Sequence, residues 1–102
     1  MDYKLAIRCL RDFMDEGGKQ ELKGAPDPAS PYIPWISVTS SGDGAAHLEA
    51  TNEWYADATT PEMLFKALES AFIKVFGSIE DLDRFIGWLC PDSTFDVDSQ
   101  EY

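Results

Sequence analysis

The side chains best suited to catalysis in this chain are its single histidine, His47, and its two cysteines, Cys9 and Cys90. A histidine can serve as the base of a Ser–His–Asp or Cys–His site, which is the one formal route to nucleophilic chemistry here. His47 falls beside Glu49 in a segment whose alternation places both on the polar face of a strand. The pattern therefore favours an exposed strand histidine, and we expect a protein that is not an enzyme.

Metal and phosphate chemistry find little support in the residue spacing. One histidine and two cysteines far apart in the chain do not form the short-spaced ligand pairs of a zinc site. Asp92, Asp96 and Asp98 lack the glycine and the final glutamate that an EF-hand calcium loop requires. Gly42-Asp43-Gly44 lacks the Lys-Ser/Thr of a phosphate-binding loop and is explained by a hairpin turn. We expect no metal and no cofactor.

The redox state of the cysteines depends on the compartment. Two cysteines can form one disulfide, but the N-terminal residues are interrupted by charges at Asp2, Lys4 and Arg8. They lack the apolar stretch of an export signal, and no run of 18 apolar residues predicts a membrane span. We therefore expect a cytoplasmic protein in which Cys9 and Cys90 are reduced and act as small buried hydrophobic side chains.

Acidity is the dominant feature of the composition, because 19 Asp and Glu against 8 Lys and Arg give a formal charge of −11. Residues 1–24 are balanced, with 5 acidic and 5 basic side chains, whereas residues 25–102 carry 14 acidic and 3 basic ones. This charge opposes direct binding of nucleic acid, since neutralising phosphates requires Lys and Arg. It favours a basic protein partner, because the Arg and Lys arrays that hold phosphates also hold carboxylates.

Some of these acids have a local structural explanation. Glu62, Glu80 and Asp81 fall in first helical turns, where they stabilise the helix dipole, and Asp43 belongs to a turn. The acids without such a role lie in or near the second predicted strand or near residue 102. Trp54 and Tyr55, which stand between Glu53 and Asp57, are candidate interface anchors. The predicted partner-binding set is Glu49, Glu53, Asp57, Trp54, Tyr55, Asp92, Asp96, Asp98 and Glu101.

The overall profile of a short, strongly acidic chain without a catalytic cluster resembles that of small phage-encoded inhibitors. Anti-CRISPR, anti-restriction and DNA-mimic proteins are of this type, and the resemblance lies in overall character, since no motif carries it. It implies an inhibitor that blocks or sequesters a nucleic-acid-binding protein in the host cytoplasm. The alternative is a homo-oligomeric structural or accessory protein, a homodimer for example, that uses exposed aromatic and apolar surface.

The periodicity of the apolar residues predicts an α+β fold. The predicted elements are a helix over 3–15, a loop over 18–34, strands over 35–40 and 45–55 joined by a turn at 41–44, a helix over 60–76 and a last helix from 78 to the residue before Pro91. A small antiparallel hairpin or sheet then packs against about three helices, in the order α-loop-β-β-α-α. Residues 1–91 form one domain, and residues 92–102 form an acidic tail.

Capping residues set the expected helix ends. Asp2 can cap the first helix, Gly17 can end it, and Gly77 can end the second helix. Thr59 and Glu62 form a possible capping box for the second helix, and Ser78 is expected to start the third. The predicted inner faces of the three helices comprise Tyr3, Ala6, Cys9, Leu10, Phe13 and Met14, then Met63, Leu64, Phe65, Leu68, Phe72, Val75 and Phe76, then Ile79, Leu82, Phe85, Ile86 and Leu89.

Overall fold

The computed structural model describes residues 2–24, 29, 33–51 and 55–90, with Tyr55 described through its backbone only. Within these ranges the elements are α1 (Tyr3–Glu16), β1 (Gly18–Lys23), β2 (Trp35–Ser40), β3 (Ala46–Ala50), β4 (Tyr55–Ala58), α2 (Pro61–Phe76) and α3 (Leu82–Leu89). The predicted α+β class is confirmed, as are the helix near the N-terminus, the strand at 35–40 and the helix ending at Phe76.

The four strands form one antiparallel sheet in the order β1-β2-β3-β4, so each strand pairs with its neighbours in the chain. Ile36 and Val38 on β2 and Leu48 on β3 point into the core formed with the helices. Because side chains alternate along a strand, His47 and Glu49 lie on the opposite face, which we call the outer face. The predicted alternation of β3 is confirmed.

The prediction of a loop over 18–34 is wrong at its beginning, because Gly18–Lys23 forms β1 and pairs with β2 along its whole length. This strand carries one large apolar residue, Leu22, which is partly buried against the core. One large apolar residue does not give the alternating pattern by which a strand is predicted from sequence. The strand is defined by its backbone hydrogen bonds to β2. The proline-containing residues 25–28 and 30–32 lie outside the described residues.

The single strand expected over 45–55 is also wrong, since β3 ends at Ala50 and β4 begins at Tyr55. Thr51, the residue after β3, extends the contact with β2, because the Trp35 carbonyl oxygen accepts from the Thr51 amide and hydroxyl at 3.1 Å each. The Trp35 amide in turn donates to the Thr51 hydroxyl oxygen. Residues 51–54, between β3 and β4, include neither glycine nor proline, so the pattern of alternation conceals the reversal.

Helix capping agrees with the sequence at three positions and differs at two. Asp2 accepts from the Lys4 amide at 3.0 Å, and Gly17 and Gly77 follow the ends of α1 and α2 with positive φ. The cap of α2 is Thr60, whose hydroxyl oxygen accepts from the Met63 amide at 3.1 Å, one residue later than expected.

The last helix begins at Leu82, four residues later than the predicted start at Ser78. Its N-cap residue, Asp81, makes no side-chain capping hydrogen bond, and Ile79 is exposed instead of lying on the inner face. Tyr3 and Met63, also assigned to inner faces, are exposed as well. All three lie in or before a first helical turn, and Tyr3 keeps an edge contact with Phe65 of α2, whose ring centroid lies 5.1 Å from its own.

The core lies between the sheet and the three helices and is centred on aromatic contacts. The Phe72 ring centroid lies 5.2 Å from that of Phe76 and 5.6 Å from that of Phe85, and Trp88 packs at the edge of this group. Among the helices of the described residues, none combines the length and apolar composition that crossing a membrane requires.

The end of α1 and the β2–β3 turn meet backbone to backbone. The Gly44 amide donates to the Met14 carbonyl oxygen at 2.9 Å, and the Ser40 hydroxyl, which has one proton, lies 3.1 Å from the same oxygen and 2.7 Å from the Ala45 carbonyl oxygen. Gly17 and Gly42 both have φ of 85°, and a Cβ on Gly17 would lie 3.0 Å from the Gly42 nitrogen. This contact holds the β2–β3 turn in place beside His47 on the outer face.

Candidate functional site

Strand register brings the candidate residues together on the outer face. His47 on β3 lies opposite Asp57 on β4, and Glu49 lies opposite the backbone position of Tyr55. Directly opposed residues of antiparallel strands share a face and lie about 5 Å apart. Two carboxylates that are eight residues apart in the chain therefore flank one imidazole.

The imidazole of His47 bridges the two carboxylates, and we call these three residues the His47 cluster. Its Nδ1 atom lies 2.9 Å from Asp57 Oδ1, and its Nε2 atom lies 2.9 Å from Glu49 Oε1. The side chains of Glu49 and Asp57 remain 54% and 63% exposed, whereas that of His47 is 35% exposed. The carboxylates thus keep most of their surface available to a partner.

The geometry favours the doubly protonated ring. An ionised carboxylate only accepts hydrogen bonds, and a neutral imidazole has one N–H, so donating to both acids requires the imidazolium. The pKa of His47 is accordingly raised above its ordinary value of 6.5, first by the hydrogen bond to Asp57, then by the one to Glu49 and by the two negative charges. Partial desolvation opposes this rise. The His47 cluster then carries a net charge of −1.

A shallow depression of about 160 Å³ adjoins the cluster. Asp57 and His47 border it from the sheet, and Asp43 and Ser41 border it from the β2–β3 turn. Asp43 also has the turn role predicted for it, since its Oδ1 atom accepts from the Ala45 amide at 3.2 Å. A third acid therefore stands beside the cluster, at a position that the sequence explained by the turn alone.

The arrangement suits cation binding better than nucleophilic catalysis. A general base needs a ring nitrogen directed at the nucleophile, whereas both nitrogens of His47 face carboxylate oxygens. Across the described residues, no group of three or more His, Cys, Asp or Glu side chains has an arrangement that could hold a metal ion. Two exposed carboxylates held by one imidazolium present acceptor oxygens suited to Arg or Lys side chains.

The outer face also has a basic edge. On β1, Lys19 lies opposite Thr39, which in turn lies opposite His47, and Lys23 lies opposite Trp35. The two lysines are exposed and share the face of the His47 cluster, two strands away from it. Glu21 lies between them on the same face and is exposed too, so the β1 edge carries a net charge of +1, whereas β3 and β4 are acidic.

A second groove, of about 270 Å³, lies between the end of β1 and the α2–α3 connection. Leu22 and Phe76 supply apolar surface, and Lys23, Glu80 and Asp81 supply both signs of charge. Because its charges are mixed, this groove extends neither the acidic nor the basic edge of the outer face.

The structure describes only part of the predicted partner-binding set. It brings Glu49 and Asp57 together through His47, and it places the backbone of Tyr55 opposite Glu49. The sequence pattern gives His47 no functional role. Its place in the site depends on the register of β4 against β3, and β4 is not predicted from the sequence. The remaining members lie outside the described residues: Glu53, Trp54, Asp92, Asp96, Asp98 and Glu101.

Comparison with known proteins adds no assignment. No protein-family model matches the chain, and neither the curated proteins nor the solved structures contain a significant match.

Proposed function

We propose that this chain is a non-enzymatic acidic binding protein that inhibits or sequesters a basic, nucleic-acid-binding protein partner. The observation that supports this function best is the convergence of Glu49 and Asp57 on the exposed outer face, with Asp43 nearby. A formal charge of −11 adds long-range attraction to any basic surface. The partner's cationic side chains are the chemistry that these carboxylates recognise.

The cluster supplies preorganised acceptors. His47 holds one oxygen of each carboxylate at 2.9 Å, so that the side chains lose less conformational freedom when a partner binds. Each carboxylate has a second oxygen, and the exposed surface of both groups leaves room for a guanidinium or an ammonium. Arginine fits best because its planar fork can donate two hydrogen bonds to one carboxylate.

Inhibition follows from competition for the same cationic side chains. A partner that neutralises phosphates with Arg and Lys presents N–H donors that can also bind carboxylates. Acids on two adjacent strands approach the spacing of phosphates more closely than acids along one strand, because diagonal neighbours such as Glu49 and Asp57 lie about 7–8 Å apart. This is the mode of action of the phage DNA-mimic inhibitors that the sequence resembles in overall character.

The test compares two variants that each lose two carboxylates. In Glu49→Gln/Asp57→Asn the cluster loses its two negative charges, and in the control Asp15→Asn/Glu16→Gln the exposed end of α1 loses the same number. Each exposed charge pair contributes up to about 1 kcal/mol, so we expect the cluster variant to bind about tenfold more weakly than the control. The measurement is co-purification from a lysate of the cell in which the protein acts, in steps of increasing salt.

Three outcomes of this experiment are decisive. A basic nucleic-acid-binding protein that the wild type and the control retain and the cluster variant loses supports the proposal. No retained protein at low salt contradicts it, and equal losses in both variants place binding away from the cluster. If the recovered partner still binds labelled nucleic acid in the presence of excess wild-type protein, the inhibitory role is wrong.

A second candidate function is self-association through the outer face. Lys19 and Lys23 on one edge and Glu49 and Asp57 on the other are complementary in charge when two copies face each other across a two-fold axis. The half-buried Trp35 lies on the same face and would add apolar contact area. This corresponds to a homodimeric structural or accessory protein.

A further inference from the structure

Folding brings the two cysteines of the chain into contact. Cys9 lies on the inner face of α1, and Cys90 follows the last residue of α3, 81 residues further along. Their Sγ atoms lie 2.6 Å apart, and the residues are 0% and 7% exposed. The sequence separation gives no hint of this proximity.

Each sulfur is positioned by regular structure. Cys9 belongs to the helical turns that bury Ala6, Leu10 and Phe13, so its Cβ direction is set by the packing of α1. The Cys90 amide donates to the Gly87 carbonyl oxygen at 3.3 Å, which attaches this residue to the last turn of α3. Neither cysteine needs a rearrangement of its element to meet the other.

We propose that Cys9 and Cys90 form an intramolecular disulfide that joins α1 to the end of α3 whenever the protein meets a small-molecule disulfide oxidant. A disulfide bond is about 2.05 Å long, so the sulfurs must approach by only about 0.6 Å. This proposal concerns the core on the helical side of the sheet and is independent of the outer face.

The chemistry proceeds by two exchange steps. The Cys90 thiolate, on the more exposed residue, attacks a sulfur of glutathione disulfide, forms a mixed disulfide and releases one glutathione thiolate. The Cys9 thiolate then attacks the Cys90 sulfur, forms the Cys9–Cys90 bond and releases the second glutathione. The two protein thiols lose two protons and two electrons, and glutathione disulfide is reduced to two molecules of glutathione.

The cross-link closes a loop of about 80 residues, which spans every strand and all of α2. Restricting so long a loop removes much of the freedom of the unfolded chain, which raises the stability of the folded state. It also links α1 to Cys90, the residue that precedes the segment 91–102 with four of the predicted partner-binding acids.

The direct test is peptide mapping of the wild-type protein after treatment with glutathione disulfide. Remaining thiols are blocked with iodoacetamide, and the protein is digested with trypsin and examined without reductant. Cleavage after Arg8, Arg11 and Arg84 gives a linked pair of peptides, 9–11 and 85–102, which we expect as the main product. Persistent alkylation of both cysteines, or linkage between molecules only, overturns the proposal.

The single variant Cys9→Ser separates the two steps. In this variant the glutathione adduct of Cys90 has no resolving thiol, so we expect it to accumulate, whereas in the wild type the adduct stays a minor species. Equal accumulation in both proteins contradicts the proposed contact. The wild-type peptide map decides the matter independently, should the variant fold poorly.

Thermal unfolding measures the effect on stability. We expect the oxidised wild type to unfold roughly 10 °C or more above the reduced protein, in view of typical disulfide contributions and the size of the domain. Dithiothreitol removes this shift, and a Cys9→Ala/Cys90→Ala variant shows no response to either reagent. An oxidised protein that unfolds at the same temperature as the reduced one contradicts the stabilising role.

Discussion

At the scale of single residues, the charge state of His47 controls the acidity of the candidate site. With the imidazolium between Glu49 and Asp57 the cluster carries −1, and loss of its proton leaves two adjacent carboxylates and a charge of −2. A basic partner is therefore attracted more strongly as pH rises through the pKa of His47. His47 therefore holds the carboxylates of Glu49 and Asp57 in place, and its positive charge reduces the negative potential that they present to a partner.

The pKa of His47 gives the first prediction at this scale. The hydrogen bond to Asp57 is the largest cause of its rise, so Asp57→Asn should lower the pKa more than Glu49→Gln does. The chain has one histidine, so its imidazole signals in an NMR titration are unambiguous. A wild-type pKa at or below 6.5, or equal effects of the two variants, contradicts the described geometry.

The same shift fixes the sign of a dependence of stability on pH. A group whose pKa is higher in the folded than in the unfolded state stabilises the fold fully below the unfolded value, near 6.5, and loses this contribution as pH rises through the folded value. We expect the difference in unfolding temperature between wild type and His47→Gln to be larger at pH 5.5 than at pH 8. The exposure of the cluster makes this difference small, since solvent screens its charges.

At the scale of elements, the packing of α1 against the β2–β3 turn allows two glycines to be compared. Gly42 and Gly44 both have φ of 85°, so alanine is strained at either position. A Cβ on Gly42 would also lie 3.2 Å from the Glu16 carbonyl oxygen, whereas one on Gly44 has nothing within 4 Å. The two sites share the backbone conformation and differ in the space available.

Alanine substitution at the two positions should therefore have unequal cost. We expect Gly44→Ala to lower the free energy of unfolding by about 1 kcal/mol, from backbone strain alone. Gly42→Ala should lower it by about 3 kcal/mol, because the end of α1 must also shift. Urea denaturation measures both, and equal costs would show that the contact with α1 is not tight.

The elements that can be predicted from the sequence are those whose apolar residues recur with a clear helical or strand spacing. The helices α1 and α2 carry wide apolar faces, and β2 and β3 flank a turn with two glycines, so these four follow from local pattern. The strand β1 depends on pairing with β2, since Leu22 is its one large apolar residue. The late start of α3 reflects packing that leaves Ile79 outside the core.

The candidate site was only half predictable for the same reason. Glu49 and Asp57 were identified by elimination, because neither has a capping or turn role. Their meeting at His47 depends on the register of β4, and register comes from pairing and not from composition. The contact between the sulfurs of Cys9 and Cys90 is likewise a product of helix packing.

At the scale of the whole molecule, the chain carries a formal charge of −11, and the charged residues of the outer face are distributed unevenly. The β1 edge carries Lys19 and Lys23 with Glu21 between them, for a net charge of +1, and the opposite strands carry Glu49 and Asp57. For a protein that binds basic surfaces, the lysines oppose the partner, whereas for a dimer they hold the second copy. The two candidate functions therefore predict opposite effects for the same pair of residues.

Reversing these two charges separates the candidates. In Lys19→Glu/Lys23→Glu the outer face becomes acidic at both edges, so a basic partner should remain bound at higher salt than with the wild type. If the face instead joins two copies, like charges meet across the two-fold axis, and the variant should be monomeric where the wild type is dimeric.

Light scattering at high micromolar concentration gives the oligomeric state of both proteins, and the salt steps of the co-purification give the partner's affinity. A wild type that is monomeric at this concentration counts against self-association, and a variant that releases the partner at lower salt counts against the acidic docking face.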